Sequence, residues 1–303
     1  MGKRKRVIKP KPSSIKKCSK CGNTKTARAF KPKHSICNDC ENIEQTEIEW
    51  QSAIRPAKVI FIDTEISPSL AWVWKNWQTN VIATAQDWFL MAVSYRWRDE
   101  DKVSVHALPD FPETYKADPT NDVELITRVH ELLDSADFVV CHNTRFDVRK
   151  LNARMLLHRL PPPSPYKEIC TLKIARKYFG FNSNRLDELC RQLGLGEKIE
   201  HSGSELWMDC LAGKKSAWSL MKQYCKHDTE LLISLYDKIA SWHSSHPNLD
   251  HFSRQGHCPI CQNNHIQKRG FKRTKTTIKQ TYQCQNCFHY FSDSKANSIR
   301  IVT

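Results

Sequence analysis

The sequence predicts an α/β domain with a small cysteine module on either side of it. Between residues 57 and 243, short apolar runs alternate with helical hydrophobic patterns, the order expected when strands and helices build one layered domain. Outside that span, eight of the 13 cysteines fall into four Cys-x-x-Cys pairs, two pairs near each end. Charge divides the same way. Residues 1–58 carry 15 Lys/Arg against 5 Asp/Glu, residues 59–243 carry 23 against 25, and residues 244–303 carry 9 against 2. A near-neutral centre is thus flanked by two basic ends within a chain of net charge +15, a footprint suited to nucleic acid.

The elements follow from the periodicity. Strands are expected at KVIFIDTEI (58–66), FLMAVSYRW (89–97), KVSVHAL (102–108) and DFVVCHN (137–143), with a weaker one near EICTL (168–172). Helical patterns lie at 121–135, 146–159, 184–193 and 216–241. Residues 1–17 are rich in Lys, Arg and Pro with little to bury, so they are expected to be a basic tail, disordered until bound. A module spanning 18–52 is too small to rest on a hydrophobic core alone. Residues 244–257 carry the polar, His and Pro signals of a linker, and 258–303 form the second module. No apolar run approaches the ~18 residues of a membrane span, and the basic N-terminus lacks the apolar segment of a secretory signal. The expectation is a soluble, cytoplasmic protein of a reducing compartment, its cysteines metal-bound or free.

Four carboxylates stand out by position. Asp63 and Glu65 are two apart on an apolar strand, so they share a face. Two such acids repel unless a cation lies between them. Asp147, in HNTRFD, sits just past another apolar strand at the start of a helix. Tyr224 and Asp228, in YCKHD, are one helical turn apart on one face. Any one of these also fits a solvated acid or a helix-end charge. All three in this order, within one α/β domain, point to carboxylates gathered around hard divalent cations.

This constellation resembles the DnaQ-like, or DEDD, exonuclease superfamily, whose fold is an RNase H-like mixed sheet flanked by helices. The correspondence covers 57–243, and YKEICTLKIARKYFGFNSNRLDELCRQLGLGEK is similar to the region joining the second and third motifs in phage and bacterial members. Tyr224 lies four before the final Asp, while Gln223 stands where the other branch has His. The resemblance is therefore to the DEDDy branch, which includes polymerase proofreading domains and ribonuclease D. It implies 3′→5′ release of nucleotides with two Mg²⁺ or Mn²⁺ held by Asp63, Glu65, Asp147 and Asp228. Tyr224 would position the attacking water, since a phenol of pKa near 10 is a poor base at neutral pH. Asn143 and Phe146 match positions that shape the second motif, and Phe146 fits a core position equally well. DNA is the favoured substrate and RNA the alternative. A catalytically weak nucleic-acid-binding protein is a further alternative that no missing acid favours.

Both modules have the ligands of a four-thiolate zinc site. Cys18, Cys21, Cys37 and Cys40 resemble a treble-clef finger, whose second pair runs into the helix-like segment ENIEQTEIEWQ. Cys258, Cys261, Cys284 and Cys287 resemble the zinc ribbons of transposases and other DNA-handling proteins. Between the knuckles of that ribbon lie Lys268, Arg269, Phe271, Lys272, Arg273 and Lys275, cations interleaved with an aromatic that suit phosphates and exposed bases. The expectation is two structural Zn²⁺. Each such unit carries 2−, which lowers the positive charge but leaves both ends basic.

Overall fold

The computed structural model describes residues 15–43, 55–77, 80–249, 257–292 and 297–298. Residues 1–14 of the expected basic tail and most of ENIEQTEIEWQ lie outside them, whereas 15–17, expected to belong to that disordered tail, form a strand because they pair with 24–26. The described residues form two compact units, the N-terminal module and a larger unit holding the central domain with the C-terminal module.

In the N-terminal module, β1 (Ile15–Lys17) pairs antiparallel with β2 (Thr24–Thr26), and helix α1 spans 38–43. Its interior is Phe30 with Cys18, Cys37 and Cys40, flanked by Ala29 and Ile36. One aromatic ring and three thiols are a small core for a folded unit, which leaves stability to whatever joins the sulfurs.

The central domain is a three-layer α/β structure around a five-stranded mixed sheet. Strand β3 (Val59–Ile66) ends in a separate hairpin, β4 (Leu70–Val73) and β5 (Val81–Gln86), before β6 (Leu90–Trp97) and β7 (Ser104–Ala107). Helices α2 (Pro112–Ala117) and α3 (Val123–Asp134) lead to β8 (Phe138–Cys141) and α4 (Thr144–Leu157). Strand β9 (Lys167–Cys170) precedes α5 (Thr171–Tyr178), α6 (Leu186–Gln192), α7 (Ser204–Leu211) and the long α8 (Lys215–Ile239). The sheet order is β7-β6-β3-β8-β9, with β7, β6 and β3 antiparallel and β8 and β9 parallel to β3. This is the mixed sheet flanked by helices expected for an RNase H-like fold.

Each strand and long helix expected from periodicity is present, shorter by one to three residues at some ends. Strand β3 reads as a nearly continuous apolar run because it is central and covered on both faces. Ile60 and Ile62 face the layer of α3 and α4, while Phe61 meets Tyr236 of α8 edge-on, ring centroids 5.2 Å apart. Helix α8 lies across β3, β6 and β7, and α5, α6 and α7 pack around it.

The C-terminal module is a sheet of β10 (Ile266–Arg273), β11 (Thr277–Cys284) and β12 (Tyr290–Ser292), with the short β13 (Asn297–Ser298) also on β11. Its base is fastened to the central domain. His289 Nδ1 donates to the Ser241 carbonyl at 2.8 Å, and the Leu249 and Pro259 backbones bond at 2.8 Å. Leu249 is fully buried, and His246 bonds Tyr236 Oη at 3.0 Å.

Candidate active site and cysteine clusters

Strand β3 delivers the first two acids. Odd-numbered residues face α8, so Asp63 and Glu65 emerge half-buried beneath that helix. Helix α8 delivers Tyr224 and Asp228 from its inner face, both buried. Helix α4 delivers Asp147 from the opposite layer. Asn143 adopts a left-handed conformation (φ 81°) that turns the chain from β8 into α4, and Asp147 falls in that helix's first turn. Thr64, pointing to the α4 side of β3, donates from Oγ1 to Asp147 Oδ1 at 2.7 Å.

The electrostatics are those of crowded anions. Burial, then the charges of Glu65, Asp147 and Asp228, raise the Asp63 carboxyl well above its ordinary range. Burial, with Asp228 and Asp147, pushes Glu65 up to about 8. Burial lifts Asp147 to about 6, against the Thr64 hydrogen bond. Asp228 is also raised by burial, opposed by Lys198.

Lys198 was not apparent in the sequence. Its Nζ donates to Asp228 Oδ2 at 2.5 Å and to Tyr224 Oη at 2.9 Å, bridging the two α8 residues. Burial alone would lower its pKa, but the Asp228 charge and those hydrogen bonds raise it, so it is a fixed cation. Tyr224 is also packed edge-on against His201, centroids 4.7 Å apart. Burial and the Asp228 charge raise the phenol further above its ordinary value. The loop carrying both partners is held by His227, whose Nε2 donates to the Glu197 carbonyl at 2.7 Å. His227 thus faces this loop and Glu230. Gly196 lets the loop lie on α8, since a Cβ there would come within 3.1 Å of Leu231 in a backbone of φ +129°.

An open cavity of about 500 Å³ is lined by Asp63, Asp228, Lys198, Asn143, Arg176 and Arg185, among others. His142 helps shape it. Burial lowers this imidazole to about 4, so it is neutral; it bonds Thr171 Oγ1 and the Asn184 carbonyl, each at 2.9 Å. Phe146 is 43% exposed, so its role is not that of core packing.

Ligand atoms of Asp63, Glu65 and Cys225 lie within 4.8 Å of one another. Cys225 is fully buried, and burial with the charges of Asp63 and Glu65 holds its thiol protonated. A hard cation takes oxygen ligands, so the thiol is a neighbour and not a donor. Asp228 Oδ1, by contrast, is buried with no hydrogen-bond partner. Asp228 lies outside that close group, but its charge raises both Asp63 and Glu65, and an orphaned carboxylate oxygen beside such acids fits a divalent cation.

Residues 111–205 match the RNase_T family model, an exonuclease family. That match runs from the start of α2 into α7 and includes Asp147 and Lys198. It supports an exonuclease domain in this chain, and hence a hydrolase acting on nucleic acid. Asp63, Glu65, Tyr224 and Asp228 lie outside the matched segment and stand on geometry. No curated protein matches the chain.

The two cysteine clusters are also formed. In each, the four sulfurs lie within 4.8 Å of one another. Cys18 and Cys40 are 3.9 Å apart, and the pairs Cys258–Cys287 and Cys261–Cys284 are each 3.5 Å apart. A tetrahedral site with metal–sulfur bonds of about 2.3 Å has sulfur–sulfur edges of about 3.8 Å. Backbone N–H groups of Cys37 and Asn286 point at the Cys18 and Cys284 sulfurs. Backbone contacts from Cys21 and Cys37 lower Cys18 to about 6, whereas the neighbouring Cys37 thiol and burial raise Cys40 to about 12. Both clusters are compatible with zinc.

The ribbon residues divide by face. Gly270, at φ +77°, breaks the β10 register between Lys268 and Phe271. Lys268, Phe271 and Arg273 therefore oppose Tyr282, Gln280 and Ile278, on the face that also carries Phe291 stacked on Tyr282. Lys272 opposes Lys279 on the other face, where Arg269 bonds Gln283. Lys275 lies in the turn between the strands.

Proposed function

We propose that this chain is a metal-dependent 3′→5′ exonuclease of the DEDDy type, acting on DNA in preference to RNA. The observation that carries the reading is convergence. Asp63 and Glu65, Asp147 and Asp228 come from β3, α4 and α8 to one place, with Tyr224 one turn from Asp228. Asp63, Glu65, Asp147 and Asp228 are the residues that would hold Mg²⁺ or Mn²⁺. When bound, the cations supply hydroxide near neutral pH and stabilise the leaving 3′ oxygen.

The chain's own groups do the rest. Tyr224, its phenol raised, orients the attacking water and does not remove its proton. Lys198 fixes Tyr224 and Asp228 relative to each other. Arg176 and Arg185, at the cavity wall, offer charge to substrate phosphates. We further assign structural Zn²⁺ to each cysteine cluster, nucleic-acid contact to the ribbon hairpin, and a reducing, cytoplasmic setting. The domain limits we adopt are a tail at 1–14, a finger at 15–52 that takes in the strand at 15–17, the exonuclease at 57–243, a linker at 244–257 and the ribbon at 258–303.

The test is Mn²⁺-dependent release of nucleotides from matched 3′-labelled DNA and RNA strands, which a 3′-phosphate should block. Asp63→Ala and Asp228→Asn should each lower the rate by more than about 10³-fold while the fold is kept. Full activity in either variant would defeat the assignment, and faster RNA digestion would reverse the substrate preference.

A further inference from the structure

The β4–β5 hairpin has no role in the chemistry above, yet it is the most exposed apolar feature of the central domain. Trp72, Trp74 and Trp77 are 68%, 86% and 85% exposed, and Leu70, Val81 and Ile82 are also open to solvent. Among the described residues, the two strands pair only with each other. A lone two-stranded hairpin is marginal in water, and displaying three indoles on it is unfavourable unless something covers them.

Its position says what that is. The hairpin leaves β3 immediately after Glu65 and Ile66, and its two stems meet where Ser67 and Phe89 exchange hydrogen bonds of 2.9 Å. It therefore rises from the end of the strand that carries two of the acids. On the return, Trp88 lies under the Lys150 ammonium, 3.7 Å from the ring centroid. Beside it, Arg145, Arg149 and Lys150 line a cavity of about 420 Å³ that shares Asn143 with the acid cavity. A cationic band thus runs from the acids to the foot of an aromatic hairpin that holds only Lys75 and Asp87 as charges across residues 67–88.

We infer that the β4–β5 hairpin is a stacking platform for single-stranded nucleic acid entering the acid cavity, a proposal that rests on the nuclease reading. Phosphates meet the band of Arg145, Arg149 and Lys150, while bases stack on Trp72, Trp74 and Trp77. A single strand offers both partners at once. A duplex offers phosphates but hides its base faces, so the hairpin selects single strands.

The experiment uses the full chain and two substrates: a single-stranded oligonucleotide of about 20 nucleotides, and the p-nitrophenyl ester of thymidine 5′-monophosphate. The ester is too short to reach the hairpin and reports the acids alone. Replacing all three residues (Trp72→Ala, Trp74→Ala, Trp77→Ala) should raise KM for the oligonucleotide about tenfold or more, with ester hydrolysis kept. Single strands, and not blunt duplex, should quench the tryptophan fluorescence of the metal-free Asp63→Ala protein, and the triple replacement should remove that quench. An unchanged KM alongside intact ester hydrolysis overturns the proposal. So does a wild-type dimer that the triple replacement converts to monomer without changing KM, which would assign the hairpin to a second copy of the chain. A wild-type protein that hydrolyses neither substrate defeats the nuclease reading instead, and the quenching experiment then decides the hairpin by itself.

Discussion

Glu65 and Asp63 give the chain an unusual dependence on pH. Glu65 is lifted from an ordinary 4.5 to about 8, and Asp63 well above 3.8. The folded state keeps these protons after the unfolded state has lost them, so stability falls as pH rises from the unfolded value through the folded one. Buried histidines act in the opposite sense but lower on the scale. His142 and His246 are depressed to about 4, and their contribution is complete once unfolded histidine is neutral, above about pH 7. Between about pH 7 and pH 8.5 the acids therefore dominate. Protein replete in zinc but free of Mg²⁺ and Mn²⁺ should melt at a lower temperature at the upper end of that window. Mn²⁺ should restore it, and by more at the upper end, because the ligands must be deprotonated to bind. Glu65→Gln should flatten the slope. A metal-free melting temperature that climbs across the window would remove the argument. The acids themselves were legible in the sequence because each lies in a short motif. Lys198 and His201 were not, because their partners Asp228 and Tyr224 lie across a glycine-containing loop and helix α7, and only the packed loop brings them together.

Among elements, α4, which presents Asp147, is held through one buried carboxylate. Asp122 is fully buried and accepts from Arg154 of α4 at 2.8 and 2.5 Å, from the Leu90 backbone of β6 at 2.8 Å, and bonds His158 at 2.6 Å. One carboxylate thereby ties the start of α3 and the end of α4 to the start of β6. Arg154→Leu would leave that carboxylate buried without its main counter-charge, a change that costs about 3–5 kcal/mol in comparable sites. Denaturant unfolding should show a loss of this size, whereas less than about 1 kcal/mol would mean the network is ornamental to stability. The strands and long helices were legible because burial on one or both faces imposes period and apolarity. The β4–β5 hairpin was not, for the complementary reason. It covers no core, so its sequence carries no alternation tied to an inside, and SPSLAWVWKNW shows apolar residues that never become buried. Helices α2, α5 and α7 were not expected: six to eight residues give few turns to establish a period, and α6, equally short, was legible only within the longer pattern at 184–193.

For the molecule as a whole, the net charge of +15 matters through where the cations point. The sequence places Lys268, Arg269, Phe271, Lys272, Arg273 and Lys275 between the ribbon's knuckles without assigning them to faces. The Gly270 bulge divides them, with Arg269, Lys272 and Lys279 on one face and Lys268, Phe271 and Arg273 on the other. The second face continues, through Tyr282 and Phe291, toward His289, which is fastened to Ser241 of the central domain. The first face has no such attachment among the described residues, which makes it the better candidate for a long polyanion. Each phosphate neutralised on a single strand contributes about 0.7 to the slope of log affinity against log salt. Changing Arg269, Lys272 and Lys279 together to Gln should therefore reduce that slope by about 2 and weaken binding at low salt far more than at high salt. The matched pair Lys268→Gln and Arg273→Gln should move the slope by less than about 1. Affinity measured for one oligonucleotide at several salt concentrations separates the faces, and equal effects from the two sets would place the strand around the hairpin's edge instead of across one face.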